Sequence, residues 1–549
     1  MATFKIHPAI GFARVGNSPK SFPGPTVPGI VTPPDSYRDA GLLKRQSVTF
    51  CVYAHDSDKN AEQVKVGPNE NIRSIEWTVH VANMKAAWFE FHGLTGAQNI
   101  LDPPNFGYPA NSLRNPAGPR TQWAINPGPR TASVPGTTVD FAKGGSKGAF
   151  PESWPKDFKK GNAPRIDTLG AMHVENDSTL TVVGGFGHSG AVTDDDIVDY
   201  ANNPGWFDDT SDGSVKATLV MADGSRVEAD AAWVIVGPPD FAPPIKNIVT
   251  MYDAIYDIGL RLCEYDPLVF NPQTNDFAAD FTPSFEEHIF PILWRADHYR
   301  WVYDNNDIPT PPAFHQTLTN FAILSVPPVG GQDQYLVQRS TIFRRLRNPN
   351  PGQPNNAPGN MPKLHSDLGD GAAGALKFPL TRTQFEMMRR WSVGKFSRGT
   401  GPIPPVYPTD VTAAGLDRAA LEAAVGGAFY PGIECGWIVR EPRLYVRPFE
   451  FRFRVAKDTS DLSGLSPGDV TKRSAVPWQA DFNDCGNNWW PAQRPNQVRP
   501  SAASDDRANW DDGVGGEFGM VQKWHDLGIV VQEKGADRFY EAERNLPRP

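Results

Sequence analysis

Residues 215–236 read VKATLVMADGSRVEADAAWVIV. Apolar and polar residues alternate along Val215–Leu219, Ala222-Asp223-Gly224 interrupts the run, and alternation returns over Arg226–Asp230 before the apolar Ala231–Val236. Side chains on a strand point alternately to opposite faces, so this pattern around a glycine-containing turn predicts a β-hairpin. Upstream, Ile166–Gly185 predicts another hairpin with Asn176-Asp177 at its turn. Arg45–Ala54 and Phe4–Val15 read as strand and strand-plus-turn, and Ile72–Phe91, rich in β-branched and aromatic residues, as one long strand or a bent pair. Loop signals dominate Leu94–Pro164.

The PPDFAPP run at 238–244 marks a boundary. Beyond it, helical spacing predicts helices in Lys246–Cys263, Phe285–Trp301, Phe314–Ala322, Gln334–Leu346, Thr381–Trp391 and Asp417–Val425. Glu441–Val455 alternates and reads as strand, while Asn348–Asn360 reads as a surface loop. The expected class is α+β and β-rich, with an N-terminal β domain at 1–238 and a mixed helical and β region at 239–549 that carries the site.

The 549 residues can bury a sizeable core, and 15 Trp and 31 Phe supply it. A net charge of −9 argues against nucleic acid. The N-terminal stretch has no apolar leader and no 18-residue apolar run occurs, so neither a signal peptide nor a membrane span is expected. The four cysteines, Cys51, Cys263, Cys435 and Cys485, have no paired spacing, so reduced thiols and a cytoplasmic location are expected.

Chemistry concentrates in Trp478–Pro495, WQADFNDCGNNWWPAQRP, which has no helical or strand period and reads as a loop. Asp481 and Cys485 stand four apart among Trp478, Trp489 and Trp490. A thiol beside carboxylates is a poor nucleophile, because negative charge raises its pKa. An Asp near a Cys and several Trp suits oxidation and cross-linking of the side chains themselves. The GGFGHS run at 184–189 opens no convincing helix and reads as a glycine turn rather than a dinucleotide site. His365, in LHSD, is either a structural histidine or a substrate contact. The Asp208, Asp209 and Asp212 carboxylates lack an EF-hand pattern and read as an acidic turn or a site wall. No metal site is expected, and GxSxG and HExxH are absent.

Five stretches resemble the tryptophylquinone-dependent amino-acid oxidases, lysine ε-oxidase and glycine oxidase among them. They are HPAIGFARVGNS (7–18), NNPGWFDDTSDG (202–213), FYPGIECGW (429–437), WQADFNDC…WWPAQRP (478–495) and KWHDLGIVV (523–531), in order along the whole chain. The resemblance implies a cofactor built from the chain, cysteine tryptophylquinone, in which Cys485 is joined by a thioether to an oxygenated Trp. Trp524 is the favoured partner, with Trp489 and Trp490 as alternatives. It implies that Asp481, four residues before Cys485, is needed for maturation and is the base that takes a proton from the carbon bearing the substrate's amine, with ammonia and hydrogen peroxide released. Phe207 and Cys435 match positions near the substrate in that family, and Phe207 implies a less polar pocket wall. A separate flavoprotein is implied as maturation partner. Oligomers are common in the family, which makes a homo-oligomer an assembly to test. The contrasting reading is a relative of the same fold that lacks the quinone and serves as a binding or structural protein.

Overall fold

A computed structural model describes residues 3–549 except 30, 32, 58–59, 91–112, 146–151, 304–319, 351–360, 363, 366–377, 405, 408, 428–434, 436–437, 454–463 and 486–488. A 13-stranded sheet is formed entirely from residues before 238. Its main path runs Thr138–Ala142, Thr168–Val174, Leu180–Val183, Arg45–Ser57, Ile10–Arg14, Ala232–Gly237, Ser211–Met221, Ile72–Ala82 and Arg130–Ala132. Most pairings are antiparallel, as hairpin connections require. Ala232–Gly237 lies parallel to Ile10–Arg14. Both of these strands are buried at every residue, as expected where a sheet is covered on both faces.

The opening hairpin forms as its pattern predicts: Thr218, Leu219 and Val220 pair with Glu228, Val227 and Arg226. Ser211–Met221 also pairs with Ile72–Ala82, where Trp77, Val79, Val215, Ala217 and Leu219 are buried. Each of the Val and Leu side chains contributes roughly 1.5–3 kcal/mol on burial. The Ile166–Gly185 hairpin turns at Asn176-Asp177 as expected, with Ser178 N donating to the Glu175 carbonyl at 2.9 Å and Ser178 at φ +68°.

Helices follow residue 250. Thr250 caps Met251–Leu262 with Asp253 in a reciprocal capping box, so this helix starts later than Lys246. The same device, Thr381 with Gln384, starts Arg382–Ser392. Phe285–Trp301 is composite: a π-helical turn at Phe285–Ile289, an α-helix at Phe290–His298 and a 3-10 turn at Tyr299–Trp301. Leu336–Phe343 and Ala413–Glu422 are helical, the latter starting earlier than expected because Thr412 caps it. Of Phe314–Ala322, residues 314–319 lie outside the described residues, and Phe321–Leu324 is a single turn. Most of Asn348–Asn360 also lies outside them.

Three expectations are corrected. The Ile72 strand ends at Ala82 and a 3-10 turn follows at Lys85–Ala87. Glu441–Val455 is no continuous strand over its described residues, 441–453: Pro442 opens a 3-10 turn, and Pro448 with Phe449 at φ +65° turns the short hairpin Tyr445–Arg447 and Glu450–Phe451. Trp478–Asp484 is an α-helix, not loop. It is buried on all sides at Trp478–Phe482, so its sequence carries no amphipathic period. One large apolar cluster includes both sheet residues such as Val79 and Val215 and later ones such as Met388, Trp478 and Trp524. Among the described residues no helix is long and apolar enough to cross a membrane.

Candidate active site

The Trp478–Asp484 helix starts against Asp208, the last residue of the strand Trp206–Asp208 in a separate three-stranded sheet. Asp208 Oδ2 accepts from Trp478 N at 3.0 Å and pairs with Lys85 Nζ at 2.9 Å, both side chains being buried. A carboxylate at a helix N-terminus also complements the helix dipole. Trp478, Asp481 and Cys485, at i, i+3 and i+7, share one face. Cys485 Sγ donates to Asp481 Oδ1 at 2.8 Å, and Cys485 N to the Asp481 carbonyl at 2.9 Å.

Asp481 is fully buried and its Oδ2 has no hydrogen-bond partner. Burial pushes its carboxyl up to about 7, while the bond from Cys485 pulls the other way. Burial, and then the Asp481 charge, hold the Cys485 thiol well above its ordinary value, against the opposing charge of Arg494. Arg494 closes the far end of the helix: Nε donates to the Phe482 carbonyl at 2.7 Å, and Nη2 to Asp511 at 2.8 Å. The thiol is therefore held protonated, as the acidic surroundings imply.

Trp524 arrives from a second helix, Glu517–Lys523, which packs against the first. Its indole is fully buried and meets the Trp478 ring edge to face, with centroids 5.3 Å apart. Trp524 and Cys485 belong to one apolar cluster, and Trp524 Nε1 has no hydrogen-bond partner.

A glycine loop closes the third side. Phe186 N and His188 N donate to Asp209 Oδ2 at 2.7 and 3.0 Å. Asn162 Nδ2 donates to the Gly187 carbonyl at 2.9 Å and to the Val521 carbonyl at 3.1 Å, and its Oδ1 accepts from Ser189 N at 2.8 Å. Gln479 accepts from Ser189 Oγ at 2.8 Å and donates to the Gly187 carbonyl at 3.4 Å. Two side-chain amides thus tie the loop to both helices.

Asp481 and Cys485 are bonded to one another, and Trp524 faces their helix. Trp490 is buried on Phe482, with centroids 5.7 Å apart, one helical position away from Asp481. Trp489 is half-buried with the His365 ring 5.2 Å away, so His365 stands beside the segment that follows Cys485. Phe207 is buried in the same cluster as Cys485 and Trp524, stacked with Trp123 at 5.9 Å and Phe158 at 6.2 Å. Cys435 packs in a different cluster with Ile10, Phe12 and Trp233, and most of its motif lies outside the described residues.

The acidic turn is corrected: Asp208, Asp209 and Asp212 are all fully buried. Asp212 accepts from Thr471 N, Thr471 Oγ1, Val470 N and Trp233 Nε1 at 2.6–3.2 Å. Sequence reasoning missed Lys85, Asn162, Gln479 and the role of Gly187. The run GGFGHS was visible, but nothing local shows that a glycine turn 337 residues from Trp524 will lie against it. A group of ligand type, Asp297, His298 and Asp537, lies apart from these residues, and Arg300 pairs with Asp297 at 3.1 Å.

These residues fit a quinone made from the chain. A reduced, buried thiol and a buried indole share one cluster, a carboxylate oxygen is left unpartnered, and the loop against the indole has no side chain at Gly187.

Residues 7–236 match the L-lysine epsilon oxidase N-terminal family model, and residues 362–515 match that of the L-lysine epsilon oxidase C-terminal domain. The chain is 29% identical over 540 residues to L-lysine 6-oxidase of Marinomonas mediterranea, covering 87% of this chain and 70% of that protein. It shares its fold with the epsilon-lysine oxidase structure from the same organism, at a TM-score of 0.84 and 24% identity over 99% of this chain and 95% of that one. It shares it also with a crystal structure of the Schiff base intermediate of that organism's L-Lys epsilon-oxidase with L-Lys, at a TM-score of 0.82, 24% identity and the same coverage of 99% and 95%. The chain is an amino-acid oxidase and belongs to the L-lysine epsilon oxidase family.

Proposed function

We propose that this chain oxidises the primary amine of an amino acid with a cysteine tryptophylquinone built from its own Cys485 and Trp524, releasing ammonia and hydrogen peroxide. The observation that carries the reading is the Asp481 carboxylate. It is buried, raised to about 7 and unpartnered at Oδ2, on the helix face it shares with Cys485 and with the Trp478 ring that meets Trp524. The quinone would supply an electrophilic carbonyl for the amine and a ring that holds two electrons until oxygen takes them.

Asp481 is the general base for the proton on the carbon bearing the amine, and Oδ2 is the oxygen free to accept it. Joining the sulfur to the ring would remove the S–H that bonds Oδ1. Loss of that bond moves the carboxyl further up, because the bond favours its charged form. The helix packing keeps water from the carboxylate. Trp524 is the modified ring in this reading, since Trp490 packs on Phe482 and Trp489 is half-buried. Maturation by a separate flavoprotein, and a cytoplasmic setting that keeps Cys485 reduced, are part of the same proposal. L-lysine, the substrate named for the relatives, is the first to test.

Oxygen uptake and peroxide release over a panel of amino acids, on protein co-produced with the flavoprotein, test the reading. Uptake with at least one amino acid and none in Cys485→Ala is expected. A Cys485→Ala chain that retains activity contradicts it. Quinone-free protein that binds amino acids without consuming oxygen would favour the binding-protein reading.

A further inference from the structure

We infer that Gly187 is a positioning residue: its missing side chain is what leaves room for the benzene edge of Trp524 to be modified, and Asp209, Asn162 and Gln479 hold it there. The inference rests on the quinone reading above. Gly187 has φ +71°. A β-carbon built on it would fall 2.6 Å from Trp524 Cη2, nearer still to Cζ2, and 3.0 Å from Cε2. Real β-carbons do not approach so closely, so loop backbone lies directly against these ring carbons. Any substituent added to that edge needs the space a side chain would take.

The loop cannot give way cheaply. Both amides flanking Gly187 are held by one Asp209 oxygen, its carbonyl is held by Asn162 and Gln479, and Ser189 is tied to the same two amides. Asp209 is fully buried, with Phe186 N and His188 N on Oδ2 and no partner on Oδ1. Moving the loop to admit a side chain would strand these buried groups. The loop and the ring are therefore matched in shape, and the bulk at residue 187 sets whether the ring can carry added oxygens.

The test uses the full chain co-produced with the flavoprotein, as wild type and Gly187→Ala. The fraction of Trp524 peptide carrying two added oxygens is read by mass spectrometry, on folded protein defined by its melting transition. The wild type is expected to be modified, and folded Gly187→Ala to show that fraction at least tenfold lower. A wild-type fraction in Gly187→Ala overturns the inference and leaves the quinone reading standing. An unmodified wild type overturns both. If Gly187→Ala does not accumulate as folded protein, the comparison is made in the Asn162→Ala background, where loss of one of the two amides on the Gly187 carbonyl lets the loop give way. The Asn162→Ala/Gly187→Ala chain is then expected to show a several-fold lower two-oxygen fraction than Asn162→Ala alone, and equal fractions overturn the inference.

Discussion

Asp481 joins two properties that usually exclude each other: it is fully buried, and one of its oxygens is unpartnered. Burial disfavours the charged form and places its pKa near 7, where a carboxylate is both ionisable and basic enough to act on a weakly acidic C–H. The base works only when ionised, so the rate rises with pH. With a midpoint at about 7 before maturation and above it afterwards, the rate at pH 6 is at least about tenfold below its plateau. Loss of the thiol's hydrogen bond on maturation moves the midpoint upward, not downward. A kcat/KM profile checks this, and a profile flat from pH 5.5 to 8.5 excludes Asp481 as the base. Asp481→Asn keeps the shape and removes the base, and is expected to lower kcat by about 10²–10⁴-fold in protein that still carries the quinone. The four-residue spacing of Asp481 and Cys485 was legible in the sequence as chemistry. Their shared hydrogen bond needed the helix.

That helix is held by a buried ion pair. Asp208 takes its first amide and neutralises Lys85, whose side chain is also buried. Asp208→Ala leaves that ammonium buried and unpaired, and breaking such a pair costs about 3–5 kcal/mol. Denaturant unfolding of the unmatured chain measures this, and a loss under about 1 kcal/mol would show that Lys85 finds another partner. Elements were legible where one face meets water or another layer. Val215–Leu219 alternates because its two faces differ, and Arg382–Ser392 declares itself by a capping box. Trp478–Asp484 did not, because a short helix buried all round has no periodic contrast. Glu441–Val455 misled because it alternates, while its prolines decide the backbone. The amides of Asn162 and Gln479 were illegible for a further reason: their partners are distant in sequence, and an isolated Asn or Gln carries no pattern.

At the scale of the molecule, the sheet and the later helices share one apolar cluster. Contacts across residue 238 are also polar: Arg14 donates to the Ala423 carbonyl, His7 pairs with Asp417, and Asp212 binds Thr471. A β-rich domain was expected at 1–238, yet the site draws Asp208, Asp209 and Gly187 from those residues and Asp481, Cys485 and Trp524 from the later part. Residues 1–238 produced alone would expose the apolar face that the helices cover, and are expected to aggregate or to melt without a cooperative transition. A soluble fragment with a sharp transition near that of the whole chain would show that the sheet folds independently. The class, α+β with the strands first, was legible from the change of period near residue 238. The joint core was not, because period shows which face is buried and not what covers it.

The most direct measurement is peptide mass mapping of the whole protein co-produced with its flavoprotein. The account predicts one cross-linked species joining Cys485 to Trp524 and carrying two added oxygens. A cross-link to Trp489 or Trp490 would contradict the assignment of Trp524, and unmodified Cys485 and Trp524 in protein that oxidises amino acids would contradict the account as a whole.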